Sequence, residues 1–336
     1  MSSTYKNSSK NEVIKSLKEL DNFVISGHVN PDPDSFSSCA SLFYLLNSIG
    51  KNCICVYDSH DRNRPVFKLI DDDCFVDYEK FSEKKFFKTK EYNFITVDLG
   101  SEKRVYEQIS KIKKNAYKRI SIDHHEYDGL KCDVLLSDPT AASCSLLIWE
   151  LGCMCGLKKD AKFAKLCFIG IISDTGSFSH KNTDSRVLRA SADIMDLGVQ
   201  TNIIYNTIFS SYSLASLKLT KCAINNLYID SLKHFAITYL TPQNFIDSKA
   251  TKKDGSAVID ILRTLDGVDV VCVLRQSGEN EDVRGSLRCE SDRDVSYIAH
   301  MYGGGGHKAA AGFIDTNSQD IIDTFEDVKN KLSNYL

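Results

Sequence analysis

Carboxylate and imidazole side chains recur in this chain directly after short runs of apolar residues. Four groups stand out: His28, Asp32 and Asp34 after residues 23–25; Asp98 after residues 94–97; Asp123, His124 and His125 after residues 120–122; and Asp174 after residues 166–172. Loops at the carboxyl ends of parallel strands converge on one crevice. If the apolar runs form such strands, we expect the four groups to lie within a few ångströms of one another.

So many carboxylates in one place repel each other or take up protons unless cations neutralise them. Carboxylate and imidazole ligands without a thiolate suit manganese, magnesium or cobalt better than a structural zinc ion. Taken singly, each residue has an ordinary explanation: His28 as a polar cap, Asp32 and Asp34 as turn formers beside Pro31 and Pro33, and Asp174 as a helix N-cap. Taken together, the four groups predict a site for divalent metal ions.

The hydrophobic pattern indicates which elements position these groups. In the first half of the chain, short apolar runs alternate with amphipathic stretches, which predicts an α/β domain with a mostly parallel sheet flanked by helices. Its strands are predicted at residues 23–25, 53–57, 94–97 and 120–122. Helices are predicted at residues 38–49, ending before Gly50, and at residues 143–151, ending before Gly152. Residues 161–172 are largely apolar and are predicted to be buried.

The chain is predicted to have two domains joined by a helical linker, because 336 residues exceed one typical domain. The metal-binding domain spans residues 1–195 and the linker spans residues 196–226. A smaller α/β domain occupies residues 227–336, where β-branched runs surround one helical stretch and an amphipathic helix comes last.

Four consecutive glycines, residues 303–306, precede His307 and Lys308 in this smaller domain. Such a run is typical of a flexible turn. The alternative is an anion site, because unhindered backbone N–H groups beside an imidazole and an ammonium group can hold a phosphate. Arg288 lies upstream, and together these residues favour the phosphate or nucleotide site.

Composition excludes several classes of protein. The formal net charge is −3, so no global positive field recruits long nucleic acids, and small substrates are favoured. The 12 cysteines show no zinc-binding or redox spacing, and we interpret them as reduced, mostly buried residues. The first twenty residues contain no apolar stretch, and no run is long enough to span a bilayer. A cytoplasmic protein without a membrane partner is therefore predicted.

Read in order, these motifs resemble those of the DHH phosphoesterase superfamily. The resemblance is carried by HVNPDPD at residues 28–34, VD at 97–98, DHH at 123–125 and GIISDTG at 170–176. GGGGHKAAAGF at residues 303–313, preceded by GSLR at 285–288, resembles the signature of the DHH-associated substrate-binding domain. The sequences of the motifs and the length of the chain are most similar to those of the nanoRNase/pAp-phosphatase and stand-alone cyclic-di-AMP phosphodiesterase branch. The chain departs from the family pattern at Pro33 and Ser37, where the family usually has glycine.

The resemblance implies roles for individual residues. One divalent ion is expected to be bound by His28, Asp32 and Asp98. Manganese is the first candidate for this ion, and magnesium and cobalt are the alternatives. A second falls to Asp34, Asp98, His124 and Asp174, so that Asp98 bridges the two. Asp123 is expected to orient a histidine, and His125 to face the substrate phosphate. Substrate-binding roles fall to Arg104, Arg288, Gly304, Gly305, Gly306 and His307; an ordinary surface salt bridge is the alternative for Arg104.

The expected activity is that of a two-metal phosphodiesterase that cleaves short oligonucleotides or dinucleotides, such as nanoRNA, pApA or cyclic di-AMP, to 5′-mononucleotides. One alternative is a 3′-phosphatase acting mainly on 3′-phosphoadenosine 5′-phosphate (pAp). Another, from a different class, is a catalytically silent nucleotide-binding sensor. The resemblance also implies a homodimer. Long duplex nucleic acid is not expected to be a partner.

Overall fold

The computed structural model describes residues 7–63, 65–70, 72–82, 87, 91–156, 160–209, 212–316 and 320–336. The chain divides into two compact units, Met1–Ser211 and Tyr212–Leu336. The division falls inside the predicted linker, so that one linker helix belongs to each unit. Within the described residues, no helix combines the length and apolar character needed to cross a membrane.

The first unit is built on a six-stranded sheet in which every pair of neighbouring strands is parallel. Its strands are β1 (Phe23–Ser26), β2 (Cys53–Tyr57), β3 (Phe75–Asp77), β4 (Asn93–Val97), β5 (Arg119–Asp123) and β6 (Val134–Ser137). Their order is β3-β2-β1-β4-β5-β6, and apolar clusters cover both faces of the sheet. The predicted α/β class is confirmed. The strand order reverses between β1 and β4, which is where open α/β sheets bind ligands.

Among the described residues, the α-helices of this unit are α1 (Lys10–Glu19), α2 (Pro33–Ser48), α3 (Glu107–Lys114), α4 (Cys144–Met154), α5 (Ala161–Asp174), α6 (Ser185–Asp196) and α7 (Thr201–Ile208). Two predicted boundaries were wrong. Helix α2 begins at Pro33 because Asp32 caps it and proline suits the first helical position. Helix α4 continues past Gly152, since that glycine is buried in the packed helix and does not form a C-cap.

The apolar run at residues 166–172 is helical, whereas its position before Asp174 in the sequence suggested a strand end. It lies in the second half of α5, which packs against α2 and α4 within the main apolar cluster. A short apolar run fits a buried helix as well as a buried strand, so periodicity cannot decide between them. Asp174 is therefore the last residue of a helix.

The outer edge of β6 is covered by the residues that precede α1. The Ser8 backbone N–H donates to the Leu135 carbonyl at 2.6 Å. The Asn7 side-chain amide donates to the Ser137 carbonyl at 2.7 Å and accepts from the Ser137 N–H at 3.0 Å. This short segment thus occupies the hydrogen-bonding groups of an edge strand.

The second unit contains a mixed six-stranded sheet in the order β11-β12-β10-β9-β8-β7. Its strands are β7 (Tyr228–Asp230), β8 (Phe235–Leu240), β9 (Val270–Arg275), β10 (Val283–Cys289), β11 (Gly305–His307) and β12 (Ala310–Asp315). Its helices are α8 (Leu214–Asn225), α9 (Pro242–Ser248), α10 (Lys252–Ser256), α11 (Val258–Leu262), α12 (Ser296–His300) and α13 (Ile321–Tyr335). One apolar cluster contains residues of α12 and α13, and a second contains residues of α8, α9 and α11.

The glycine cluster enters a β-hairpin and is neither a loose turn nor a row of free N–H groups. Gly305 and Gly306 pair with Gly312 and Ala311 on β12. Gly306 has a φ of +145°, and a side chain on Gly304 would overlap the Gly312 carbonyl. Close packing of backbone on backbone therefore requires glycine at these positions.

Candidate metal centre

The structure gathers the four predicted groups at the carboxyl edge of the parallel sheet. His28, Asp32 and Asp34 follow β1; Asp98 follows β4; Asp123, His124 and His125 stand at and after the end of β5; and Asp174 ends α5. Strands β1 and β4 are neighbours at the point where the strand order reverses. The crevice expected at such a point is therefore lined with carboxylates and imidazoles.

The first set of converging atoms belongs to His28, Asp32 and Asp98. The Nε2 atom of His28 lies 3.4 Å from a carboxylate oxygen of each aspartate. On the other side of the ring, Nδ1 lies 2.7 Å from the Val29 carbonyl, which can only accept a hydrogen bond. That contact places the proton of the neutral ring on Nδ1, so Nε2 presents a lone pair to the site.

The second set of converging atoms belongs to Asp34, His124 and Asp174. The Nε2 atom of His124 lies 3.2 Å from Asp98 Oδ1 and 3.4 Å from Asp174 Oδ2. Asp34 is fully buried. Its carboxylate accepts the N–H groups of Cys144 at 2.7 Å and Ser145 at 3.1 Å, at the start of α4. The positive end of that helix dipole favours a carboxylate at this place.

Asp98 stands between the two sets. One of its oxygens faces His28 and the other faces His124. Its backbone is left-handed, with a φ of +57°. An L-residue other than glycine pays roughly 1–2 kcal/mol for that conformation. Such strain is typical of residues at functional sites, where the surrounding structure holds them in place.

These residues fit divalent cations. The Nε2 atoms of His28 and His124 and one Asp98 oxygen are buried without a hydrogen-bond partner in the structure. In each of the sets His28–Asp32–Asp98 and Asp34–His124–Asp174, the ligand atoms lie within 4.8 Å of one another. Buried polar atoms are rarely left unpaired, and here the unpaired atoms are those that metal ions bind.

The charges of the residues also call for cations. Burial and, after it, the negative charge of Asp98 raise the pKa of Asp34 to about 7. Burial and the charges of Asp34 and Asp98 likewise raise the pKa of Asp174. Burial lowers the pKa of both histidines, but carboxylates outweigh it: Asp32 and Asp98 bring His28 to about 10, and Asp98 and Asp34 bring His124 to about 9. Without a metal, protons neutralise the site.

We predict that manganese stabilises the protein more at high pH than at low pH. The folded pKa of Asp34, about 7, exceeds the unfolded value near 4, so the metal-free fold loses stability as pH rises through this window. The raised pKa values of His28 and His124 extend this loss of stability to higher pH. Protonation of these histidines stabilises the fold fully below their unfolded pKa of about 6.5, and the effect disappears as the pH rises through 9–10. Metal ions replace these protons.

The measurement is the melting temperature in EDTA and in manganese from pH 5.5 to 8.5. The difference between the two curves should grow with pH, and taking the difference removes titrations that the two forms share. A difference that stays constant or shrinks over this range would contradict the assignment of these residues to a metal site.

Asp123 and His125 form a pair beside the two sets. Asp123 Oδ1 accepts the backbone N–H groups of His124 at 2.8 Å and His125 at 3.2 Å, and it lies 2.8 Å from His125 Nδ1. This contact orients the His125 ring and leaves its other nitrogen unengaged by Asp123. The His125 side chain is 38% exposed, so a ligand can reach it. Its contact with a substrate phosphate remains a prediction.

Arg104 lies beside the loop that carries His28. Its carbonyl accepts the Val29 N–H at 2.8 Å. Over the part of the chain that the structure describes, its guanidinium has no carboxylate within 4 Å, so the surface salt bridge offered as an alternative is not found there. A role in substrate binding stays a prediction.

Sequence reasoning missed the residues that make room for Asp34. A side chain on Gly170, in α5, would overlap both the Asp34 carboxylate and the Ser145 hydroxyl. Ser37 is buried and pairs with Ser145 at 3.0 Å between the hydroxyl oxygens. Pro33 is accommodated as the first residue of α2. Ser143, an N-cap residue before an apolar run, was the available signal for a helix start that binds an anion.

The substrate-binding residues predicted in the second unit lie on neighbouring strands. Arg288 is on β10, where its partner on β12 is Ala310. Gly305 and Gly306 are on β11 and Gly304 immediately precedes it. The backbone of His307 ends β11, and its side chain lies outside what the structure describes. No predicted metal ligand belongs to this unit.

Comparison with known proteins agrees with this arrangement. A family described as "DHH family, N-terminal domain" matches residues 22–171, and one described as "DHHA1 domain" matches residues 233–334. Two relatives, from Mycoplasma genitalium and Bacillus subtilis, are each named bifunctional oligoribonuclease and PAP phosphatase NrnA. The first is 28% identical and covers 97% of this chain and 99% of its own. The second is 25% identical and covers 90% and 92%.

Among solved structures, an exopolyphosphatase-related protein from Bacteroides fragilis superposes with a TM-score of 0.79. It is 23% identical and covers 97% of this chain and 96% of its own. At this identity the likeness establishes the fold.

Proposed function

Since this chain belongs to the DHH phosphoesterase superfamily, we propose that it hydrolyses short oligonucleotides and dinucleotides to 5′-mononucleotides with two divalent metal ions, manganese being the first candidate. The observation that carries the proposal is the pair of ligand sets that meet at Asp98. Both relatives above cover at least nine-tenths of this chain, and both names join an oligoribonuclease to a PAP phosphatase.

Under this proposal, one ion is held by His28, Asp32 and Asp98, and the other by Asp34, Asp98, His124 and Asp174. Divalent ions, when bound in such a site, neutralise phosphate charge and make water a stronger nucleophile near neutral pH. The contribution of the chain itself is positional. The N–H groups at the start of α4 fix Asp34, and the Val29 carbonyl fixes the tautomer of His28.

His125 is the group that would touch the substrate. Asp123 holds its Nδ1, and its ring is partly exposed beside the ligand sets. A positioned imidazole can hydrogen-bond a phosphoryl oxygen, and such a contact stabilises charge that grows in the transition state. Asp123 acts through His125 and is a positioning residue in this proposal.

The test is a hydrolysis panel under identical conditions with manganese: pApA, a pentaribonucleotide, cyclic di-AMP and pAp. We expect pApA and the pentaribonucleotide to yield 5′-mononucleotides, EDTA to stop the reaction, and manganese to restore it. Reducing agents should have no effect, because the proposed ligands are oxygen and nitrogen atoms. Activity that survives exhaustive chelation would contradict the proposal.

The panel also separates the alternatives. Release of inorganic phosphate from pAp as the dominant reaction would make the chain a 3′-phosphatase. Binding of these nucleotides without any turnover in manganese, magnesium or cobalt would favour a nucleotide sensor. A preference for cyclic di-AMP over pApA would identify cyclic dinucleotides as the substrate class.

A further inference from the structure

The loop that carries His28 is held by the part of the chain that connects β4 to α3. The Val29 N–H donates to the Arg104 carbonyl at 2.8 Å. The Asn30 N–H donates to the Tyr106 hydroxyl at 3.2 Å. Tyr106 and His28 also line the same small cavity beside the end of β1. Of the two contacts, only the second uses a side chain, so a substitution can remove it.

The peptide group between Val29 and Asn30 connects Tyr106 to His28. Its N–H belongs to Asn30 and donates to Tyr106, and its carbonyl belongs to Val29 and lies 2.7 Å from His28 Nδ1. Because a peptide group is planar and rigid, its N–H and its carbonyl turn together. The contact with Tyr106 therefore fixes the direction of the carbonyl that orients the His28 ring.

This peptide group needs such an anchor. Asn30 has a φ of +51°, in the left-handed region that L-residues seldom adopt. Rotation of the peptide would relieve this conformation, but it would also turn the Val29 carbonyl away from His28. The backbone N–H of His28 is held separately by the Ser35 hydroxyl at 3.3 Å. That contact places the residue but does not determine which ring nitrogen carries the proton.

Tyr106 is itself positioned on its far side. Its hydroxyl donates to the carboxylate of Asp61, in the 3₁₀ turn Ser59–Asn63. Burial and then the hydrogen bond to Asp61 raise the pKa of Tyr106, so the phenol keeps the proton that it donates. Hydrogen bonds in a chain polarise and strengthen one another. Such a chain runs from Asp61 through Tyr106 and the peptide group to His28.

We propose that Tyr106 is a positioning residue of the metal centre, whose hydroxyl holds the loop peptide so that His28 presents its Nε2 lone pair to a divalent ion. The inference rests on the proposed function, which supplies the ion. Tyr106 acts through the peptide group and not by a bond to the ion. Loss of such an outer partner of a metal-binding histidine weakens metal binding by about 10–100-fold.

The test is a manganese titration of the metal-free full-length protein, with the free ion measured by electron paramagnetic resonance. The variant Tyr106→Phe removes the hydroxyl and keeps the ring. The matched control is Tyr92→Phe, which removes a hydroxyl that donates to the Ile112 carbonyl at 2.8 Å. Both rings pack in one apolar cluster, but Tyr92 lies at the opposite end of β4 from Asp98.

We expect Tyr106→Phe to weaken the binding of one manganese ion by about tenfold and that of the other by less than about twofold. Tyr92→Phe should change neither by more than about twofold. The same substitution is then made in a His28→Ala background. There, Tyr106→Phe should change the remaining manganese binding by less than about twofold, because the ring through which it acts is gone.

Four results would overturn the role of Tyr106: unchanged manganese affinity in Tyr106→Phe, equal weakening of both ions, equal weakening in Tyr92→Phe, or a weakening that persists in the His28→Ala background. The positioning role and the proposed function fail separately. The expected manganese affinities without hydrolysis of any panel substrate keep the role and remove the function. Manganese-dependent hydrolysis with unchanged affinity in Tyr106→Phe does the reverse. A protein that binds no manganese overturns both.

Discussion

Replacement of Asp98 by alanine is expected to abolish manganese-dependent hydrolysis of pApA, with a loss of at least about a thousandfold, or about 4 kcal/mol of transition-state stabilisation. Asp98 is the residue that both ligand sets approach, with its oxygens 3.4 Å from His28 Nε2 and 3.2 Å from His124 Nε2. Loss of this carboxylate removes the shared negative charge between two imidazoles. Manganese content, measured on the purified variant by elemental analysis, should fall together with activity.

Two further variants separate the carboxylate from the backbone at this position. Alanine at a φ of +57° keeps the strain that glycine would relieve, so Asp98→Gly should be more stable than Asp98→Ala by about 1 kcal/mol and equally inactive. Asp133→Ala, which removes an aspartate paired with Arg119 away from the site, should keep normal activity. Near-normal turnover in Asp98→Ala would show that this residue does not hold the metal ions.

Replacement of Gly170 by alanine is expected to destabilise the protein by about 2–4 kcal/mol and to lower activity by about a hundredfold or more. The added methyl group would overlap the Asp34 carboxylate and lie 2.6 Å from the Ser145 Cβ atom. Asp34 cannot retreat without losing its hydrogen bonds to the N–H groups that begin α4. Either α5 moves away from α2, or a metal ligand is displaced.

The measurements are the free energy of unfolding in denaturant and the hydrolysis of pApA in saturating manganese. The control is Gly278→Ala, where the new methyl group meets only the flexible Glu281 side chain at 3.3 Å. It should change stability by less than about 1 kcal/mol. If Gly170→Ala has the stability and activity of the unaltered protein, the close packing around Asp34 does not position that ligand.

The residues of the candidate centre could be predicted from the sequence, but which of them lie side by side in space could not. β2 begins and ends at the predicted residues 53 and 57, because its β-branched and apolar residues are bounded by polar ones. What brings His28 beside Asp98 is the pairing of β1 with β4, and this pairing joins residues about seventy positions apart. Contacts between residues so far apart in the sequence depend on the order of strands in the whole sheet, and no local sequence pattern encodes them.

The second unit illustrates a different limit. Arg284, Ser286 and Arg288 alternate along β10, and alternation places them on one face of the strand. That signal was present in the sequence, but only Arg288 was singled out, on the strength of a resemblance. Arg275 lies directly across from Arg284 on β9. Cross-strand register, which sequence periodicity does not supply, makes these two residues neighbours.

The segment that covers β6 has a consequence for how the folded chain avoids self-association. β6 carries the apolar residues Val134, Leu135 and Leu136, and an open strand edge of this kind is a template for adding a strand from another molecule. Asn7 and Ser8 occupy that edge, and the Asn7 amide supplies both a donor and an acceptor as a neighbouring strand would. These two polar residues take no part in the catalytic chemistry, but they block the β6 edge against pairing with a strand of another molecule. The need to avoid aggregation therefore constrains which residues can stand just before α1.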